Sequence, residues 1–169
     1  MANIAFLLGA DFEDSEFRIP YDRLKEKGHT ITVLGAQKGE TVRGKKGQET
    51  VEIEAAARER KGSDFAAVVI PGGYSPDHLR TDEGVVAFVR AAAAANKPVA
   101  AVCHGPSLLI EADLVRGKTV TSWPSIRTDL KNAGATVVDK QVAQDGVLIT
   151  SRNPKDLEAF SEAIAKAVG

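Results

Sequence analysis

Cys103 is the only cysteine among 169 residues, and its neighbours make it a candidate nucleophile. It follows the apolar run Val99–Val102 and precedes His104-Gly105-Pro106 and a helix-like stretch, Ser107–Leu114. A strand that ends on a thiol, turns at a glycine and enters a helix presents sulfur at a strand terminus. A helix N-terminus carries roughly half a positive charge, and such a position draws a thiol pKa from about 8.5 to roughly 3.5–7.5. The thiolate is the reactive form, so an activated sulfur is expected. The competing reading is structural, because free cysteine is among the most buried residue types.

Two further segments carry chemistry. Asp11, Glu13, Asp14 and Glu16 follow the apolar run Ile4–Leu8. Acidic residues at a helix start complement its dipole, so only one or two of the four should point into a cleft. A carboxyl beside a thiolate is pushed up by like charge and desolvation, and it then shuttles a proton near neutral pH. Pro71-Gly72-Gly73 follows Ala66–Ile70. Its glycines allow close backbone approach and expose N–H groups able to hold an oxyanion, although a tight turn accounts for them equally well. His104 adjoins Cys103, and only a sharp turn would bring its ring to the sulfur. His29 reads as packing or surface, and His78 lacks a motif. Three scattered histidines and one cysteine do not make a zinc site, so neither a metal nor another cofactor is expected.

These residues need a scaffold, and the apolar patterning supplies one. Buried strands are expected at Ile4–Leu8, Thr30–Leu34, Ala66–Ile70 and Val99–Val102. Helices are expected at Ser15–Lys27, Asp82–Ala95, Ser107–Leu114, Ser125–Ala133 and Pro154–Val168, the last capped by Asn153. The alanines of Asp82–Ala95 predict a close neighbour. Thr41–Ile53, interrupted by Gly44 and Gly47, reads as a hairpin. Late strands at Thr136–Val138 and Val147–Thr150 would be joined near the turn signal Asp145-Gly146. Apolar strands alternating with helices predict a mainly parallel sheet covered on both faces. Ligands then bind beyond the carboxyl ends of the strands, where all three chemical loops emerge together.

With Lys+Arg at 22 and Asp+Glu at 23, the net charge of -1 offers no basic bias toward nucleic acid or an anionic membrane. Met1-Ala2-Asn3-Ile4 lacks a signal-peptide pattern, and the apolar runs are too short to span a bilayer. A single domain over residues 1–169, in a reducing cytoplasm, is the expectation.

Taken together the chain resembles the ThiJ/PfpI family, in its PfpI-type intracellular peptidase and glyoxalase III-like branch. The matching segments are Asp11-Phe12-Glu13-Asp14-Ser15-Glu16, Pro71-Gly72-Gly73, Ala101-Val102-Cys103-His104-Gly105-Pro106, Thr121-Ser122-Trp123-Pro124 and Thr150-Ser151-Arg152. The resemblance implies a flavodoxin-like three-layer α/β sandwich with Cys103 at a strained nucleophile elbow. It implies that the Glu13 carboxyl contacts the sulfur. It also implies a triad of Cys103, His104 and Asp77, the acid coming from a neighbouring subunit, and an oxyanion site of amides near Gly73 and His104 beside Gly72. Trp123 would wall the pocket where the peptidase type member has tyrosine, and Asp77 stands where that member has glutamate. Homodimers, assembled in this branch into hexamers, are implied as well. A class I glutamine amidotransferase is rejected, because no histidine follows His104.

The activity expected from this resemblance is cofactor-independent glyoxalase or deglycase chemistry on methylglyoxal, glyoxal or their adducts, through Cys103. Two alternatives stand beside it. One is an oligomeric cysteine peptidase. The other is a non-enzymatic redox sensor or holdase, since an exposed low-pKa thiol oxidises readily.

Overall fold

The computed structural model describes residues 1–169. Its strands are β1 (Asn3–Leu7), β2 (Thr30–Gly35), β3 (Thr41–Arg43), β4 (Thr50–Glu52), β5 (Ala55–Ala56), β6 (Ala67–Ile70), β7 (Val99–Val102), β8 (Thr119–Val120), β9 (Thr136–Val137), β10 (Ala143–Asp145) and β11 (Leu148–Ser151). Its α-helices are α1 (Asp14–Glu26), α2 (Ser75–Leu79), α3 (Glu83–Ala94), α4 (Pro106–Glu111), α5 (Arg127–Asn132) and α6 (Leu157–Val168).

β6 and β7 carry no polar side chain, so both of their faces must be covered, and every residue in them is buried. They lie at the centre of a seven-stranded sheet of order β10-β11-β7-β6-β1-β2-β5. All pairs in it are parallel except β10–β11. Alternate residues feed two separate cores. Ala5, Leu7, Val68, Ile70, Val99 and Ala101 pack with Phe88 and Val89 of α3 and Leu108 of α4. Ile4, Phe6, Val69, Ala100 and Val102 pack with Phe17 and Leu24 of α1 and Phe160 and Ile164 of α6. The result is the expected flavodoxin-like sandwich. From β1 the chain runs to β2 on one side and later to β6, β7 and β11 on the other. Strand order therefore reverses beside β1, and a ligand crevice is expected at the carboxyl ends there.

Helix termini follow the residues that cap them. Asp82 accepts the Val85 N–H at 3.0 Å, and Asn153 accepts the Lys155 N–H at 2.9 Å, although one 3₁₀ turn precedes α6. The alanine-rich α3 does meet a close neighbour: a Cβ at Gly62 would lie 2.5 Å from the Ala92 nitrogen.

One connection differs from expectation. The turn at Asp145-Gly146 joins β10 to β11, and β9 instead pairs in parallel with β8 in a separate two-stranded sheet. β10 reads Ala-Gln-Asp, without a branched residue, and β8 and β9 have two residues each. None of them is long enough to show a period of two. No helix is long and apolar enough to cross a membrane.

The Gly62–α3 approach leaves no room for a branched side chain. Gly62→Val should cost about 1–3 kcal/mol through overpacking, read as a lower midpoint at unchanged slope in urea unfolding.

Candidate active site

The loop after β1 is the centrepiece of the crevice. Phe12 bridges to Gly73 on one side and to Gly44 on the other. The Glu13 N–H donates to Gly72 O at 3.2 Å and the Tyr74 N–H to Asp11 O at 2.8 Å. Across the other side, the Lys45 N–H donates to Phe12 O at 2.8 Å and the Asp11 N–H to Arg43 O at 2.9 Å. Residues 11–13 thus stitch the Gly-Gly loop to the β3–β4 hairpin.

Cys103 forms the expected elbow. Its φ is +63°, a left-handed conformation that a non-glycine residue adopts at a cost of about 1–2 kcal/mol. The surroundings over-determine it. Its N–H donates to Ser151 O and its carbonyl accepts the Trp123 N–H, both at 3.0 Å. A Cβ at Gly105 would lie 2.6 Å from Ile70 O, so only glycine lets the chain turn this tightly after the thiol.

The carboxyl beside the sulfur is that of Glu16, and the expectation for Glu13 is corrected. Glu16 is fully buried. Its Oε1 accepts the Gly72 N–H at 2.8 Å, which sets the carboxyl close to the Cys103 side chain. Gly72 makes this approach feasible, since a Cβ there would lie 2.5 Å from Glu16 Oε1 and 3.0 Å from Cys103 Cβ. Glu13 is drawn away by cations: Lys45 Nζ and Lys46 Nζ each lie 2.9 Å from its carboxylate. Burial opposes ionisation of Glu13, but the two lysines hold its carboxyl below the ordinary value. Asp14 turns to the hairpin and accepts the N–H groups of Lys46, Gln48 and Glu49 at 2.8–2.9 Å.

The expected low thiol pKa is also corrected. The sulfur-bearing residue is 7% exposed, and burial pushes the thiol up, as does the charge of Glu16. Burial likewise pushes Glu16 up, to about 8, against the Gly72 hydrogen bond. Two acids in contact lose protons as a unit. The pair gives up one proton on the alkaline side of neutral and holds the second much more tightly.

His104 Nδ1 lies 3.5 Å from Cys103 Sγ, and Nε2 lies 3.1 Å from Ser125 Oγ. Burial, and then the Lys45 charge, lower the imidazole pKa, so the ring is neutral at physiological pH. Trp123 stands over it with ring centroids 6.3 Å apart. The N–H groups of Gly73 and His104 find no carbonyl acceptor, and the His104 N–H influences the sulfur as a hydrogen-bond donor. A cleft of about 480 Å³ opens here, lined in part by Lys45, Gly73, Asp77, His104 and Asp129. Within the chain, Asp77 shares this cleft with His104 but makes no ion pair with it. A larger groove of about 680 Å³ passes Lys38, Arg58 and Asp82; it holds no nucleophile and none of the three loops. No group of three or more His, Cys, Asp or Glu side chains is placed to hold a metal.

Lys45 and Ser125 were not among the residues the sequence singled out, and Glu16 stood there only as one of four candidate carboxylates. Glu16 had one usable signal, its position three residues after the N-cap Glu13, where a glutamate ordinarily reaches back toward the helix start. Lys45 sits in a Gly-Lys-Lys-Gly turn that reads as solvent-facing. Ser125 belongs to no pattern.

A parallel α/β sandwich with a left-handed cysteine after its central strand, backed by a buried carboxyl, is a narrow class of protein. The chain belongs to the DJ-1/PfpI family, whose model matches residues 2–167. It is 49% identical over 160 residues to General stress protein 18 of Bacillus subtilis, covering 94% of this chain and 92% of that one. It is 44% identical over 167 residues to Protein/nucleic acid deglycase 2 of Escherichia coli, covering 98% and 97%. A two-domain protein of Anabaena variabilis, with DJ-1/ThiJ/PfpI-like and ferritin-like domains, superposes with a TM-score of 0.98 at 44% identity; all of this chain matches 48% of that one.

A raised carboxyl pKa costs stability as pH climbs. The folded chain binds the Glu16 proton more tightly than the unfolded chain does, so stability falls as pH rises from about 4.5 to about 8. Glu16→Gln removes that slope. Urea unfolding across this range should show the wild type losing on the order of a few kcal/mol that the variant keeps; parallel curves would contradict the burial argument.

Proposed function

We propose that this chain is a cofactor-independent enzyme of glyoxalase and deglycase type, acting through Cys103 on methylglyoxal, glyoxal or their adducts. The observation that carries this reading is the left-handed Cys103, packed with the buried Glu16 carboxyl against Gly72 and followed by His104, which lines the cleft. The name of the Escherichia coli relative supports it.

On loss of one proton from the pair, sulfur bonds to the aldehyde carbon and the carbonyl oxygen takes a proton, giving a hemithioacetal. The Gly73 and His104 amides, which lack carbonyl partners, hold the oxygen while it is anionic. The Glu16 carboxyl gives that oxygen its proton, and the carboxylate left behind accepts the proton from the aldehyde carbon, while the neutral His104 ring stands with Nδ1 3.5 Å from the sulfur. A proton returns to the neighbouring carbon, leaving a thioester and a new hydroxyl. Water then breaks the carbon–sulfur bond and releases the 2-hydroxy acid and the thiol. Oxidation of one carbon is balanced by reduction of the next, so the net change is addition of water and no cofactor is consumed. Ser125, accepting from Nε2–H, would fix the tautomer that leaves Nδ1 free. Gly72 and Trp123 shape the site without reacting.

Amide hydrolysis is the second reading, favoured by Asp77 lining the same cleft as His104. In a homodimer or hexamer an Asp77 from the neighbouring subunit could complete the triad. The cytoplasm is the proposed compartment, which suits a lone free thiol. No stable nucleic-acid or membrane partner is proposed.

Cys103→Ala should abolish hydroxy-acid formation from methylglyoxal, and Glu16→Gln should lower kcat by about 100-fold or more. For the wild type, kcat/KM should rise with pH through about 8 as the pair loses its first proton. Full methylglyoxal turnover by Cys103→Ala would sink the reading. Cys103-dependent cleavage of fluorogenic peptides, with methylglyoxal inert, would favour amide hydrolysis instead.

A further inference from the structure

We propose that Lys45 is the cation that holds negative charge on the Cys103–Glu16 pair, and that Glu13 ties it in place. The backbone around Lys45 is clamped. Its own N–H donates to Phe12 O, and the Asp14 carboxylate gathers the next amides of the turn. A Cβ at Gly44 would overlap that carboxylate, so the turn cannot sit elsewhere. The Lys45 side chain is then tied at 2.9 Å to Glu13 and lines the cleft with Gly73 and His104. Lys46 is tied equally closely to Glu13, but it does not line the cleft.

Charge counting gives the arrangement its sense. Two ammonium groups and one carboxylate leave one net positive charge, and the neighbouring thiol–carboxyl pair gains one negative charge on losing its first proton. The excess positive charge of the lysines over Glu13 thus offsets the charge the pair gains on ionising. Other groups facing the pair do not supply the cation. Glu16 comes from α1 and is acidic, and His104 in the elbow is held neutral. Asp77 and Asp129 at the outer wall are acidic, and Arg80 there is committed to Glu111 at 3.1 Å. Lys45 carries the compensating charge, and it lowers the proton affinity of the thiol against the effect of burial.

The proposal shares with the functional reading only the identity of the nucleophile, and its test contains no aldehyde. Alkylation of Cys103 by iodoacetamide is followed against pH for the wild type and the Lys45→Met, Lys45→Arg, Lys46→Met and Glu13→Gln variants. Lys45→Met should raise the midpoint by about one unit and slow alkylation at neutral pH about tenfold, the effect of losing one nearby opposite charge. Lys45→Arg should restore the wild-type midpoint, Lys46→Met should raise it by less than Lys45→Met does, and Glu13→Gln should lower it, because a negative charge beside Glu16 is lost. An unmoved midpoint in Lys45→Met, or equal shifts in both Met variants, would overturn the assignment. A shifted midpoint in a protein inert to methylglyoxal would sink the glyoxalase reading and leave this one standing.

Discussion

The packing of two acids, the Cys103 thiol and the Glu16 carboxyl, against one another across Gly72 is the constraint to which the rest of the site is fitted. Thiol and carboxyl can touch only if nothing separates the elbow from α1, and Gly72 is the gap through which they meet. The sulfur reaches that gap only with Cys103 in a left-handed conformation, and the turn after it closes only over Gly105. Each of these positions costs stability. Burying an ionisable carboxyl whose Oε2 has no hydrogen-bond partner costs more. A purely structural cysteine needs none of this, so the expense points to chemistry at the sulfur.

Around that pair, the four carboxylates of one loop do four different things. The exposed Asp11 side chain faces His78 at 3.9 Å, while its carbonyl takes the Tyr74 amide. Glu13 binds two lysines, Asp14 folds the hairpin turn, and Glu16 meets the thiol. The division is set by backbone direction. Asp11 is left-handed at φ +60°, Glu13 is the extended N-cap of α1, and the helix begins at Asp14. Three helical residues on from the cap, the chain has turned through most of a circle, and Glu16 points inward beneath the loop.

That is why the fold was more legible than the site. Val99–Val102 could be placed to the residue because a continuous apolar run fits only a strand covered on both faces. The convergence of the three loops followed from parallel strands alone. Choosing Glu16 over Glu13 required knowing where Lys45 and Lys46 stand, and they arrive from a hairpin about thirty residues away in sequence. The pKa of the sulfur was misjudged for a related reason. A helix start was legible, but the depth of burial and the charge of a second acid were not. α4 spans only Pro106–Glu111, and whatever field it exerts does not outweigh them.

The same electrostatics separate the two reactions open to such a thiol. Amide hydrolysis expels an amine, which must leave protonated, and the donor in a cysteine–histidine pair is a cationic imidazole. His104 is disfavoured as a cation by burial and by Lys45, and no acid of its own chain is paired with it. Aldehyde isomerisation expels nothing until the final step, where the leaving group is the Cys103 sulfur itself. That sulfur departs as a thiolate beside a carboxyl whose burial keeps a proton within reach. A site that disfavours a cationic imidazole therefore favours the reaction in which no amine has to be expelled.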